Sequence, residues 1–108
     1  MELYIELQDQ RKTLSLAINE LKKRGQRKAE TERDYRVALQ KEMLKLRAEG
    51  IPVTILGDLC RGDEEIANLK MQRDIAETEH ESALQKIYAT KLNIGIIENQ
   101  MNMERKGM

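Results

Sequence analysis

The stretch GIPVTILGDLCRGD, residues 50–63, separates two long charged segments and decides the fold. Gly50 followed by Pro52 is a typical helix stop, because glycine adopts the left-handed conformation just past a helix end and proline cannot continue the helix. Asp63 is a good helix N-cap, and the two glutamates after it suit the positive end of a helix dipole. The sequence therefore predicts that one helix ends and another begins here, so that the chain reverses direction.

Upstream of this stretch, residues 2–49 contain no proline and carry apolar residues at helical spacing. We expect one helix of roughly 70 Å at about 1.5 Å per residue. Its stripe passes through Ala29, Glu32 and Tyr35 in the middle. The other members of the stripe are Leu3, Leu7, Leu14, Ile18, Leu21, Gly25, Leu39, Met43 and Leu46.

Downstream, residues 63–103 carry two interleaved series with seven-residue spacing, which is the pattern of a coiled-coil helix. The first series is Ile66, Arg73, His80, Ile87, Ile94 and Met101, and the second is Leu69, Ala76, Ala83, Thr90 and Ile97. The pattern ends at Met103, so residues 104–108 are predicted to form a disordered tail.

Together these features predict an all-α fold, with residues 1–108 as a single antiparallel two-helix coiled-coil hairpin and residues 50–62 as a short helical, apolar tip. Reversal near residue 56 would bring Leu39 level with Arg73 and Ile18 level with Ile94. It would also bring Glu32 level with His80, and we expect these two residues to form a polar pair within the seam.

Two helices that bury one stripe each are marginally stable, so we expect self-association as a dimer that completes a four-helix bundle. The first fifty residues carry a net charge of +3 and the remainder −3, which favours antiparallel pairing within or between copies. Apolar residues off the main stripes would supply the second face; these are Leu16, Val37, Leu44, Leu84, Leu92 and Ile96.

The tip carries Ile55, Leu56 and Leu59, with Thr54 as the expected cap of its helical turn. One interpretation is that these residues plug the end of the hairpin, and this is the one we favour. The other is that they form an apolar docking site for an unknown protein partner.

The sequence contains no motif of a catalytic or cofactor site. A single cysteine, Cys60, cannot form an internal disulfide, which suits a reducing compartment. No stretch is apolar enough to span a membrane and the N-terminus does not resemble a signal peptide, so we expect a cytoplasmic protein. A carboxylate–histidine metal protein is a third hypothesis, because Glu77 and His80 form one Glu-x-x-His step to which Glu32 and Glu81 could add ligands.

A basic stretch lies within the first helix, and its members are Lys22, Lys23, Arg24, Arg27 and Lys28, with Arg33 and Arg36 further on. These residues could contact phosphates, which makes a nucleic-acid-handling role in recombination or replication the second hypothesis. Consecutive helical residues point around the whole axis, however, and no aromatic residues interleave for base stacking. A solvated charge run is the favoured interpretation.

The segment GIPVTILGDLCRGDEEIANLKMQRD, Gly50 to Asp74, lies between two long charged helices and resembles small helical accessory proteins of phages and prophages of Gram-positive bacteria. The resemblance implies a viral accessory role inside a bacterial host and assigns no active-site residue. The leading hypothesis is therefore a non-catalytic structural or protein-interaction module without a cofactor.

Overall fold

The structure, a computed structural model, describes residues 2–107. It contains three helices, α1 (Glu2–Ala48), α2 (Val53–Gly62) and α3 (Glu64–Lys106), and no strand among the residues described. The chain is an all-α helical hairpin, as predicted, with α2 between its long helices. The tail predicted to be disordered from residue 104 is helical as far as Lys106, because the backbone ladder of α3 continues past the last apolar seam residue. Met108 lies outside the described residues.

Contacts divide the chain into two compact units. The terminal unit comprises Met1–Arg24 and His80–Met108, and the central unit comprises Gly25–Glu79. In each unit a segment of α1 packs against a segment of α3. The expectation of a single domain over residues 1–108 stays a prediction.

The bend between α1 and α2 follows the predicted chemistry. Gly50 has a φ of 89°, the left-handed conformation that glycine adopts without steric cost. The Ile51 N–H donates to the Leu46 carbonyl and the Gly50 N–H to the Arg47 carbonyl, which is the Schellman pattern of hydrogen bonds at a helix C-terminus. The glycine therefore ends α1 because it leaves the last carbonyls with partners.

The next two helix starts differ from each other. Pro52 precedes the first residue of α2, so Thr54 lies inside the helix and does not cap it as predicted. Proline takes this place because its fixed φ suits the entry into a helix. Asp63 caps α3 as predicted, and its Oδ1 accepts a hydrogen bond of 3.1 Å from the Ile66 N–H.

The predicted heptads of α3 match its burial. Every residue of the two series from Ile66 to Met101 is buried or half-buried, whereas most of their neighbours are exposed. The residues buried most deeply are Ile66 and Ala76 in the central unit and Ile87, Thr90 and Ile97 in the terminal unit. The seven-residue repeat of α3 is thus the seam that faces α1 in both units.

The predicted stripe of α1 is buried or half-buried at every position except Ile18 and Ala29. Ile18 is 38% exposed, whereas Ala17 beside it is 5% exposed. Ala29 is also exposed, and the seam passes instead through Thr31. A helix packed along a coiled-coil partner keeps a repeat of 3.5 residues per turn, so the seam returns to Ala17 rather than drifting to the larger Ile18.

The register of the hairpin also differs from the prediction. The Arg73 guanidinium carbon lies 4.6 Å from the centre of the Tyr35 ring, so Arg73 is level with Tyr35 and not with Leu39. In the terminal unit, Ala17 shares a groove with Ala83 and Lys86, so this part of α1 is not level with Ile94. The reason is that residues 53–62 form a helix of their own, and Asp63 then borders the same groove as Lys45.

Candidate interaction surfaces

The largest run of exposed apolar residues on one helix lies on the terminal-unit part of α3. Tyr88, Leu92 and Ile96 follow one another at four-residue spacing, about half a turn of the helix away from the buried seam. Leu92 is 65% exposed, and Tyr88, Ile96 and Met103 are also exposed. We call this surface the outer face of α3; its residues are Gln85, Tyr88, Ala89, Leu92, Gly95, Ile96, Asn99, Asn102 and Met103.

None of these nine residues carries a charge. In a chain that is 35% charged, a solvated helix face would normally hold lysine, arginine or glutamate. Lys91 and Glu98 border the outer face but do not lie on it. The outer face is therefore uncharged from Gln85 to Met103, and it is bordered at its N-terminal end by Glu81, whose Oε1 accepts a hydrogen bond from Gln85 Nε2.

Gly95 lies in the middle of the outer face and is not required by the fold of the protomer. Its φ is not positive, so its backbone conformation is open to any residue. A Cβ built at this position meets no other atom within 4 Å. Glycine weakens a helix interior, so its presence here has a local cost without a local benefit.

The tip residues divide between two sides of α2. Leu56 and Cys60 are buried, at 5% and 0% exposure, and lie one turn apart on the inner side. Ile55 and Leu59 are exposed on one flank of the helix, and Val53 is exposed in its first turn on the same side as Leu56 and Cys60. Of the three residues predicted to bind a partner, Leu56 serves the core of the central unit, and Ile55 and Leu59 are open to solvent.

Burial raises the pKa of the Cys60 thiol, and the nearby Glu42 carboxylate raises it further. A thiol reacts as its thiolate, so this cysteine is protonated and inert at neutral pH. Cys60 acts as a small apolar packing residue at the base of α2.

The seam of the central unit contains a polar cluster, which we call the Arg73 clasp. The Arg73 guanidinium lies over the Tyr35 ring, its Nε is 3.5 Å from Glu32 Oε2, and its Nη2 is 3.0 Å from Asp74 Oδ1. Glu32 Oε1 also accepts a hydrogen bond of 2.7 Å from Arg36 Nε. The clasp thus joins a cation–π contact to an ion-pair network between α1 and α3.

These ion pairs shift the pKa values of the carboxyls. The Arg36 hydrogen bond is the main reason that the pKa of Glu32 is lowered, with added help from the charge of Arg73. The hydrogen bond from Arg73 lowers the pKa of Asp74 in the same way. Both oxygens of Glu32 already have arginine partners in the central unit, and its predicted pairing with His80, a half-buried residue of the terminal unit, stays a prediction.

The basic stretch is divided between seam and surface. Lys22, Lys23 and Arg27 are exposed, whereas Arg24 and Lys28 are half-buried. The Arg24 Nε lies 2.8 Å from Glu20 Oε1, so part of its charge is already compensated. Nucleic-acid contact by these residues stays a prediction.

The side chains and helices of residues 2–107 bear on the metal and membrane hypotheses. No group of three or more histidine, cysteine, aspartate or glutamate side chains in this range comes together as a metal-binding cluster. None of the helices in the same range is long and apolar enough to cross a bilayer.

Comparison of the chain with protein-family models, with curated proteins and with solved structures gave no match. Function must therefore be argued from the surfaces themselves. Sequence reasoning had singled out Leu92 and Ile96 as residues for a second face but missed Tyr88, Gly95 and Met103. The signal that could have found them is the four-residue spacing from Tyr88 to Ile96 together with the lack of charge around it.

Proposed function

We propose that this protein is a non-catalytic helical interaction module that acts as a homodimer and holds a protein partner through the exposed side of α2. The observation that carries the proposal is the outer face of α3, which is uncharged and exposes Tyr88, Leu92 and Ile96 although the seam of the same helix is already buried against α1. A helix with apolar residues on two opposite sides is typical of the interior of a larger helical assembly.

The balance of buried and exposed residues supports self-association. Among the described residues, nine apolar residues are buried, whereas fifteen large apolar side chains are exposed. A two-helix protein with so small a core is marginal, because burial of its seam barely offsets the ordering of the chain. A second copy would add a second buried layer, as in four-helix bundles.

Sedimentation equilibrium tests this proposal. We expect a monomer–dimer equilibrium between about 1 and 100 µM protein, the range in which moderately stable dimers dissociate. Thermal unfolding should also shift to higher temperature as the protein concentration rises, because mass action stabilises the associated state. A 12.6 kDa monomer at all concentrations, with a melting temperature that does not change, would exclude the homodimer.

The outer side of α2 is the second part of the proposal. Ile55 and Leu59 are exposed beside the buried Leu56 and Cys60 on the same short helix. The tip is thus both a plug and an exposed surface. Such an arrangement presents apolar side chains on a fixed base, which suits helix-in-groove recognition of a protein partner.

A set of single substitutions separates these two roles. Ile55→Asp and Leu59→Asp should abolish capture of the partner from a host extract while helicity is retained, because both positions are exposed. Leu56→Asp should lower helicity itself, because it places a charge in the core. Leu44→Asp, at a residue that is 63% exposed on α1, is the matched control and should change neither property. Partner capture unaffected by the first two changes would exclude α2 as the docking site.

The setting we propose is the cytoplasm of a bacterial host that carries a phage or prophage. This rests on the resemblance of residues 50–74 to small helical phage accessory proteins. Affinity capture from the native host, with identification of partners by mass spectrometry, tests it. A partner of phage origin or of the host replication machinery is the expected result, and reproducible capture of unrelated envelope proteins would contradict it.

The exposed side chains of Lys22, Lys23 and Arg27 favour one alternative, a factor that handles nucleic acid. A mobility-shift assay across a salt series decides between the two proposals. Binding that weakens steeply with salt would support the alternative, because phosphate contacts release counterions. No binding at low salt would remove it.

A further inference from the structure

The outer face of α3 has a pattern of sizes that fits its own copy, and the inference drawn from this pattern rests on the homodimer proposed above. Along the helix, the large Tyr88 is followed by the small Ala89, Leu92 lies in the centre, and the small Gly95 is followed by the large Ile96. Tyr88 lies four positions before Leu92, and Gly95 lies three positions after it. In the same way, Ile96 lies four positions after Leu92, and Ala89 lies three positions before it. Such a face becomes complementary to itself when one copy is turned by 180°.

We propose that two copies pair through antiparallel α3 helices, with a two-fold axis at Leu92. In this register Leu92 packs against Leu92 of the second copy. Tyr88 covers Gly95 of the second copy, Ile96 covers Ala89, and Gln85 lies opposite Asn99. Each contact occurs twice, as an isologous interface requires.

Gly95 supplies an independent reason for this arrangement. No dihedral angle and no neighbour inside the protomer requires glycine there. The proposed interface does require it, because the Tyr88 ring of the second copy needs the space where a side chain would stand. A small residue at a helix crossing lets two backbones come close, and an aromatic side chain then gains a large contact area.

The absence of charge identifies a second copy as the occupant. Lysine- or glutamate-rich surfaces of another partner would lose hydration against this face without gaining an ion pair. The exposed part of α2, in contrast, carries the Asp58–Arg61 ion pair beside Ile55. The outer face of α3 therefore suits an uncharged, self-complementary contact better than α2 does.

The first test changes the centre of the interface. Leu92→Asp should weaken dimerisation by about 30-fold or more, because it places two carboxylates together in a desolvated contact. The matched control is Leu16→Asp on α1, because Leu16 is 62% exposed against 65% for Leu92. This control should change the dissociation constant by less than about threefold. Equal effects of the two changes, or a larger effect at Leu16, would overturn the proposal.

The second test is a substitution that should stabilise the protomer and weaken the dimer. Gly95→Gln should raise the helicity and melting temperature of dilute protein, because glutamine is a much better helix former than glycine and the protomer has room for it. The same change should weaken dimerisation at least tenfold, about 1.4 kcal/mol, because its side chain blocks Tyr88 of the second copy. Dimerisation that stays constant or strengthens would refute the register.

The third test measures the orientation of the helices by crosslinking. A short bis-maleimide reagent should join Gln85→Cys in one copy to Asn99→Cys in the other when the two variants are mixed. Gln85→Cys alone should not crosslink, since the axial distance between the two copies of this residue is about 21 Å at 1.5 Å per residue. The unaltered chain is the control, because its Cys60 is buried.

Each outcome separates the homodimer from its register. A monomeric wild-type chain ends both proposals. If the wild-type chain is a dimer but Gln85→Cys crosslinks to itself, or Leu92→Asp still dimerises normally, the homodimer stands and the antiparallel register is overturned.

Discussion

The seam of the central unit contains the Arg73 clasp beside the buried Ile66 and Ala76, whereas the seam of the terminal unit contains the buried Ile87, Thr90 and Ile97. The outer side of α3 differs as well. In the central unit it presents Met71 and Ile75 together with the ion-paired Asp74, and in the terminal unit it is uncharged from Gln85 to Met103.

The difference indicates two tasks for the same pair of helices. Polar groups in a seam contribute less stability than apolar ones, but they tolerate few arrangements and therefore help to fix register. The buried Thr31 and Thr90 hydroxyls do not act in this way, because each donates to a carbonyl of its own helix and needs no partner across the seam. We therefore expect the Arg73 clasp to help fix the pairing of the helices, and the outer face of α3 to serve the self-association proposed above.

The largest effect is expected in the apolar seam of the terminal unit. Ile87→Ala should lower the free energy of unfolding by about 2–4 kcal/mol, since it removes buried methyl groups and leaves a cavity. Urea unfolding followed by circular dichroism measures the change. Leu16→Ala is the control and should cost less than about 0.5 kcal/mol, because its side chain is exposed. Similar costs at both positions would show that the seam is misplaced.

A smaller effect is expected for the Arg73 clasp. Arg73→Ala should cost about 1–2 kcal/mol, because it removes the cation–π contact with Tyr35 and the packing of the arginine stem. Arg73→Leu should recover most of that loss, since an apolar side chain restores the packing without a charge to desolvate. A leucine variant that is less stable than the alanine variant would show that the ion pairs dominate the clasp.

A loss of stability similar to or smaller than that of Arg73→Ala is expected at Asp63, where α3 begins. Asp63→Ala should cost about 1 kcal/mol, because the Ile66 N–H loses its acceptor at the start of α3. Asp63→Asn should cost less, because its side-chain oxygen can accept the same hydrogen bond. Thermal melts of the two variants measure the difference, and equal losses would mean that charge, not hydrogen bonding, stabilises the helix start.

The smallest effect is expected from acid. Glu32 and Asp74 have lowered pKa values in the folded chain, so their contribution is complete above the ordinary carboxyl pKa of about 4 and is lost as the pH falls through the lower folded values. Wild-type protein should therefore lose more stability between pH 6 and pH 3 than the Glu32→Gln/Asp74→Asn double variant. Urea unfolding at the two pH values measures this, and equal losses would show that these carboxyls carry no pH dependence.

The helices and their ends could be predicted from the sequence because their causes are local. Gly50 and Asp63 end and begin helices through their own backbone and side-chain preferences, and the heptads of α3 are a period that can be read directly. Most of the seam on α1 could also be predicted, but its course past Ile18 could not, because hydrophobicity favours Ile18 over Ala17. The 3.5-residue repeat that selects Ala17 is imposed by the packed partner helix.

The sequence by itself determined the fold class, the place of reversal and the face of α3 that is buried, since each depends on residue preferences along a single helix. Only the tertiary structure decided the register, the partners of Arg73 and which tip residues are exposed. These features depend on where α3 begins relative to the end of α1. The position and length of α2 between them, with Leu56 and Cys60 packed into the core of the central unit, set that relation. The tertiary structure also decided that Tyr88 and Leu92 are exposed, because only the packing of α3 against α1 shows which of its apolar residues are buried.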